Sequence, residues 1–173
     1  MRRILLLAPL ALLASGCGLR PLYGGGSSGA VAGTLAHIEV TPIDGKSGWL
    51  MSNALRDRLA ADCTPQYRLD VRLDDKIAGF GVRRDDSVTR ERRTLRARYQ
   101  LVRIGDNSVL LDATAGSDAG IDVVRSEYAT IAAENTALER LSAIVADQIV
   151  ARIALYARNT PAVAAAQGTA PAK

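Results

Sequence analysis

The chain has 173 residues, 48% hydrophobic and 23% charged, enough apolar material for the core of one domain. Aromatic residues supply only 4%, and the formal net charge is +4. Arg2 and Arg3 precede an apolar run, and without those two the balance falls from +4 to +2, which argues against a chain-wide nucleic-acid surface.

The first residues point to a compartment. Met1-Arg2-Arg3 is a short positive region, and Ile4 to Ala14 is apolar and broken only by Pro9. A run of that length is too short to span a bilayer and fits the central region of a signal peptide. It ends in Leu13-Ala14-Ser15-Gly16-Cys17, which resembles the lipobox of bacterial lipoproteins, whose cysteine thiol is diacylated and becomes the new N-terminus. Ala14 departs from the commoner leucine, but small residues are tolerated there. A signal peptide over 1–16 and a lipidated Cys17 are therefore expected. Gly18 stands where an aspartate would have signalled inner-membrane retention, so the outer membrane is the expected address. Fatty acyl chains such as palmitate would anchor the protein, at about 0.8 kcal/mol per buried methylene. With Cys17 held as a thioether, Cys63 has no partner for a disulfide, and a buried, inert thiol is expected.

Gly24 to Gly33 (GGGSSGAVAG) has the composition of a flexible tether, so 17–33 reads as lipidated N-terminus and linker. The folded domain is expected over 34–158, followed by a disordered Ala/Pro/Thr-rich tail over 159–173. Ile38 to Thr41, inside Thr34 to Pro42, predicts a first strand. Ser47 is the expected N-cap of a helix running to about Ala61, with Met51, Leu55 and Leu59 in one row. Tyr67, Leu69, Val71 and Leu73 alternate with Arg68, Asp70, Arg72 and Asp74, which predicts a half-buried strand. Gly79 and Gly81 then suggest a break. Val88 to Ile104 alternates again, Asp106-Asn107 predicts a turn, and Val109 to Ala113 opens the return strand. A final helix is predicted from about Tyr128 to Ala157, with Leu138, Leu141, Val145, Ile149, Ile153 and Tyr156 as its apolar stripe and Arg140, Asp147 and Arg158 opposite. The order predicts an α+β, two-layer sandwich of about four mostly antiparallel strands with two helices packed on one face.

Signals of chemistry are sparse. His37, in the first strand, is the only histidine, and no His/Cys/Asp/Glu group has metal-ligand spacing, so neither a catalytic residue nor a metal or cofactor is expected. Gly45-Lys46-Ser47 resembles the end of a phosphate loop, but Val40 stands where its first glycine belongs. Gly79-Phe80-Gly81 lacks the third glycine of a dinucleotide site. Asp74-Asp75 and Asp85-Asp86 read as solvated pairs in turns. The positive signal is a run of arginines at 83, 84, 90, 92, 93, 96 and 98. On one strand Arg90, Arg92, Arg96 and Arg98 share a face, about 6.5–7 Å between successive members, a ladder of bidentate donors suited to phosphate. A merely solvated face, or a charged edge that resists aggregation, is the plainer alternative. For a protein on the periplasmic side, the candidate anions are lipopolysaccharide phosphates, cell-wall components or acidic protein patches, not nucleic acid.

Cys17-Gly18-Leu19-Arg20-Pro21-Leu22-Tyr23-Gly24 is similar to the mature N-terminus of the LPS-assembly lipoprotein LptE family, alphaproteobacterial type, with Leu19 in place of the usual phenylalanine. The Tyr67 to Leu73 strand and the long Ala-rich last helix fit the same resemblance, which covers roughly residues 1 to 158. It implies a non-enzymatic outer-membrane lipoprotein that plugs and helps assemble the β-barrel LptD and assists lipopolysaccharide insertion into the outer leaflet. The other reading left open by the residues is an accessory lipoprotein serving a transporter or a cell-wall synthase.

Overall fold

The computed structural model describes residues 30–59, 64–82 and 88–160. The expected signal peptide, Cys17, the tether up to Gly29, Cys63, the stretch from Arg83 to Ser87 and the tail from Pro161 lie outside these residues.

Alternating sequences build the sheet. β1 (Ile38–Val40), β2 (Tyr67–Val82), β3 (Val88–Arg103) and β4 (Val109–Asp122) lie side by side in sequence order. β2, β3 and β4 form an antiparallel meander, whereas β1 pairs parallel with the start of β2. The parallel pair requires a crossover, which helix α2 (Gly45–Leu59) supplies. Helices α1 (Ala30–Leu35) and α3 (Glu127–Asn159) complete the fold. The result is the expected α+β sandwich, a mostly antiparallel four-stranded sheet with helices over one face.

Odd-numbered residues of β2, β3 and β4, and Ile38 and Val40 of β1, face the helices. Leu69, Val71, Leu95, Ala97, Tyr99 and Leu101 are buried, and Leu138, Leu141, Val145, Ile149 and Ile153 of α3 are each no more than 1% exposed. Met51, Leu55 and Leu59 carry α2 into the same core. Each such large aliphatic contributes about 1.5–3 kcal/mol on burial. Tyr156, the last of the predicted stripe, is only half-buried. Ser126 caps α3 by accepting from the Ala129 N–H, with Glu127 in the first turn and Arg158 in the last, both favourable to the helix dipole. The helices are tied together by Arg58, which donates to Asp147 at 2.6 Å and to the Ala143 carbonyl at 3.3 Å. That bond, opposed by burial, holds the Asp147 carboxyl below the usual carboxylate range. Asn107 takes φ 54 in the predicted turn, where Asp106 accepts from the N–H and hydroxyl of Ser108.

Four local expectations are corrected. Ser47 is not the N-cap: α2 begins at Gly45, whose φ of 81 suits glycine, and Ser47 lies inside the helix. Gly48 in that first turn packs against Ile43, whose carbonyl a Cβ would strike. Thr34 and Leu35, read as the lead-in to the first strand, are helical, and α1 also takes in Ala30 to Gly33 from the expected tether. Burial of Val31 and Leu35 in the core outweighs the weak helix preference of so short a segment. Gly79 and Gly81 do not break the chain, because pairing with β3 carries β2 on through Phe80↔Arg90 to Val82↔Val88. Asp74 and Asp75 consequently sit within a strand, not a turn.

Truncating the α3 stripe tests this packing. Leu141→Ala is expected to lower unfolding free energy by about 2–4 kcal/mol in equilibrium denaturation while preserving the far-ultraviolet circular dichroism of the native state.

Candidate anion-binding face

With odd-numbered residues committed to the core, the even-numbered side of β2, β3 and β4 is the solvated face. β3 places Arg90, Arg92, Arg96 and Arg98 there, all exposed, so the structure brings the four predicted arginines onto one surface. β2 adds Arg68, Arg72 and Lys76. The face is not a uniformly positive ladder, however. β1 and β2 bring Glu39, Asp70 and Asp74, and β4 brings Asp112, Asp118 and Asp122.

Register decides which charges meet. Arg90 lies directly opposite Asp122 and donates to it at 3.1 Å. Arg92 is 3.8 Å from Asp118, on the diagonal, and its guanidinium stands 5.4 Å from the centre of the Phe80 ring. Arg98 grips Asp112 with two bonds, at 3.0 and 3.3 Å, and Gln100 donates to the same carboxylate at 2.8 Å. The hydrogen bond from Arg98 holds the Asp112 carboxyl below its ordinary range, with Gln100 adding to the effect, and raises the Arg98 guanidinium in turn. Arg68 pairs with Asp70 at 3.0 Å and Lys76 with Asp74 at 2.7 Å. Exposed pairs of this kind contribute little to stability, but they exchange readily for a better anion.

Arg72 and Arg96 differ from these. Among the described residues neither has a carboxylate partner, and both are exposed near the middle of the face. Arg72 stands opposite Arg98, while Arg96 stands between Gly116 of β4 and Asp74 of β2, whose carboxylate is bound to Lys76. A Cβ at position 116 would come 3.2 Å from the Arg96 side chain, so glycine there gives the guanidinium stem room to lie across β4. Arg72, Arg96 and Arg98, with Thr94, Thr114 and Asp118, line an open cavity of about 500 Å³. A second, of about 440 Å³, shares Arg72 and Arg98 and adds Thr41, Asp70 and Gln100. Among the described residues, the cations of this face outside any ion pair are therefore Arg72 and Arg96 beside Arg98, with Asp74, bound to Lys76, across the register from Arg96. Arg72 is not among the four arginines expected from the sequence, because strand register is not visible in one strand's alternation.

Arg93 belongs to the other side. It donates to Asp75 at 2.9 and 2.6 Å and to the Glu134 carbonyl of α3 at 3.0 Å, and the two side chains are 11% and 19% exposed. It joins β2, β3 and α3 in one ion pair and takes no part in the solvated face. The signal was Asp74-Asp75 itself: two consecutive acids in an alternating strand must put one on the helix side. Removing one partner of so buried a pair strands the other. Arg93→Met is expected to cost about 2–3 kcal/mol in chemical denaturation, and Asp75→Asn a similar amount. The double variant should recover part of the loss, and a thermodynamic cycle measures the coupling.

Comparison with known proteins follows the fold. The lipopolysaccharide-assembly family model LptE matches residues 35–153. No curated protein matches the chain. A Caulobacter crescentus protein described as a candidate lipoprotein superimposes with a TM-score of 0.64 at 23% identity, covering 76% of this chain and 97% of that one. Rare lipoprotein B of Shewanella oneidensis gives 0.57 at 10% identity, covering 70% and 95%. A minor lipoprotein of Acinetobacter baumannii gives 0.52 at 16%, covering 68% and 90%. At these identities the likeness is one of fold.

Proposed function

The chain belongs to the lipopolysaccharide-assembly LptE family, and from that premise we propose that it is a non-catalytic, lipid-anchored component of the lipopolysaccharide translocon on the periplasmic side of the outer membrane. In this reading it plugs and helps assemble an LptD-type β-barrel and assists lipopolysaccharide on its way to the outer leaflet. The family match over residues 35–153 carries the proposal. No helix among the described residues is long and apolar enough to cross a membrane. Attachment in this reading falls to acyl chains on Cys17, after removal of residues 1–16 as a signal peptide.

The solvated face supplies the proposed contact with lipopolysaccharide. Phosphate offers several oxygens to planar guanidinium forks, and it competes for arginine more strongly than a single exposed carboxylate does. Arg72 and Arg96 are open to it from the start. Arg98, Arg90 and Arg92 join by exchanging Asp112, Asp122 and Asp118 for the incoming anion. The aspartates then act as a selectivity filter: a weak or isolated anion does not displace them, whereas a polyanion that meets several arginines at once does.

Two experiments test this reading. Reversing Arg96 and Arg98 to glutamate should weaken lipopolysaccharide binding at least tenfold, roughly the loss of one or two charge-assisted contacts, with circular dichroism unchanged. Asp112→Asn, which frees Arg98, should strengthen binding. Binding that ignores both changes returns the face to a solvated surface. Independently, affinity capture from membranes in mild detergent should retrieve a much larger β-barrel protein. Recovery of a transporter or a cell-wall synthase in its place would replace the proposal with an accessory role.

A further inference from the structure

We infer that the cleft between the outer edge of β4 and the flank of α3 receives an extended segment of a partner polypeptide, with Arg152 and Tyr99 holding a carboxylate of that segment. β4 ends the sheet, and among the described residues no strand continues it. Antiparallel pairing turns alternate backbone groups away from the neighbouring strand. Gly116 is one of these: its N–H donates to Oε1 of Gln148 on α3, at 3.2 Å, where a further strand would otherwise accept. By the same period Thr114 and Asp118 present their amides to that side. A single glutamine thus stands in for a strand along an edge 14 residues long, and such an edge is a template for pairing.

The cleft beside it has a volume of about 450 Å³ and is lined by Tyr99, Ala113, Thr114, Ala115, Gln148 and Arg152. Ala113 and Ala115 hold it open, since larger side chains at those positions would fill it. Two of its polar groups, the Tyr99 hydroxyl and the Arg152 guanidinium, can donate to an anion. Tyr99 is 1% exposed, and no described residue hydrogen-bonds its hydroxyl. Burial pushes the phenol above its ordinary range, with the charge of Arg152 acting in the opposite direction, so it stays protonated and able to donate at neutral pH. Arg152 has no carboxylate partner among the described residues, unlike Arg58 and Arg93. A fixed positive charge beside a buried hydroxyl donor selects an anion, and the free strand edge next to them selects an extended backbone to carry it. The cleft shares Thr114, Ala115 and Gln148 with the cavity of the arginine face, whereas Tyr99, Ala113 and Arg152 line the cleft and not that cavity. The inference therefore does not rest on the solvated face binding lipopolysaccharide.

The test uses the full chain in detergent, labelled with nitrogen-15 and titrated with a blocked pentapeptide, Thr-Val-Glu-Val-Thr, or its counterpart with glutamine in place of glutamate. The expected result is shifts at Ala113 and Arg152, which line this cleft and not the arginine cavity, together with Thr114 and Ala115, with the acidic peptide binding roughly tenfold more tightly. Arg152→Gln should erase that advantage with the fold unchanged, and Tyr99→Phe should reduce it. Equal binding of the two peptides, shifts confined to the arginine face, or no shifts at millimolar peptide would each overturn the inference. Lipopolysaccharide binding, measured on the same Arg152→Gln protein, should be unaltered, which separates failure here from failure of the translocon reading.

Discussion

Burial of one stripe of α3 against one face of the sheet governs the rest of the molecule. Leu138, Leu141, Val145, Ile149 and Ile153 recur on a single side of a 33-residue helix, and they meet the odd-numbered residues of β3 and β4, while α2 packs beside them toward β1 and β2. Strand alternation has a period of two, so this commitment turns the even-numbered residues of β2, β3 and β4 to water, up to the irregularity at Leu101/Val102. Sliding one strand by a single residue would bring Arg96 and Arg98 into the core, at a desolvation cost no pairing on that side could offset. The position of the arginine face is therefore a consequence of apolar packing on its reverse.

That dependence explains what was legible in the sequence. The alternation of Tyr67 to Leu73 and of Leu95 to Leu101, and the 3.6-residue stripe of α3, are strong local patterns, and each became the element expected of it. Features that depend on a neighbouring strand were not visible. Gly79 and Gly81 carry a local signal for interruption, which the ladder with β3 overrides. Asp75 reads as solvated in its own strand, and only the fold brings Arg93 to it, two strands and a helix meeting at one guanidinium. The arginines themselves were identified by period, but their state was not, because the carboxylates that engage Arg90, Arg92 and Arg98 arrive from β4 in a register that no single segment encodes.

The distribution of charge on the solvated face also separates two properties that a count of arginines merges. Placement in one row follows from the strand, whereas availability follows from the partners. Arg72 and Arg96 are available, and the others are held in exposed pairs that water screens. A face built this way has little net field at a distance, in keeping with the modest overall charge. It responds to an anion only at close range, where guanidinium geometry counts for more than long-range attraction.

The sequential order of the elements carries a consequence for how the chain matures. The three long strands form a meander whose contacts are local, and they can pair as soon as β4 has been synthesised. Their apolar side then has only α1 and α2 as cover until α3, near the C-terminal end of the sequence, follows. For that interval a nascent chain of roughly 120 residues displays Leu69, Leu95, Tyr99 and Leu101 to its surroundings, a species prone to aggregate unless a holding factor shields it. A chain interrupted before residue 138 lacks the stripe that covers β3 and β4, so the placing of the long helix after the strands makes full-length synthesis the condition for a clean surface.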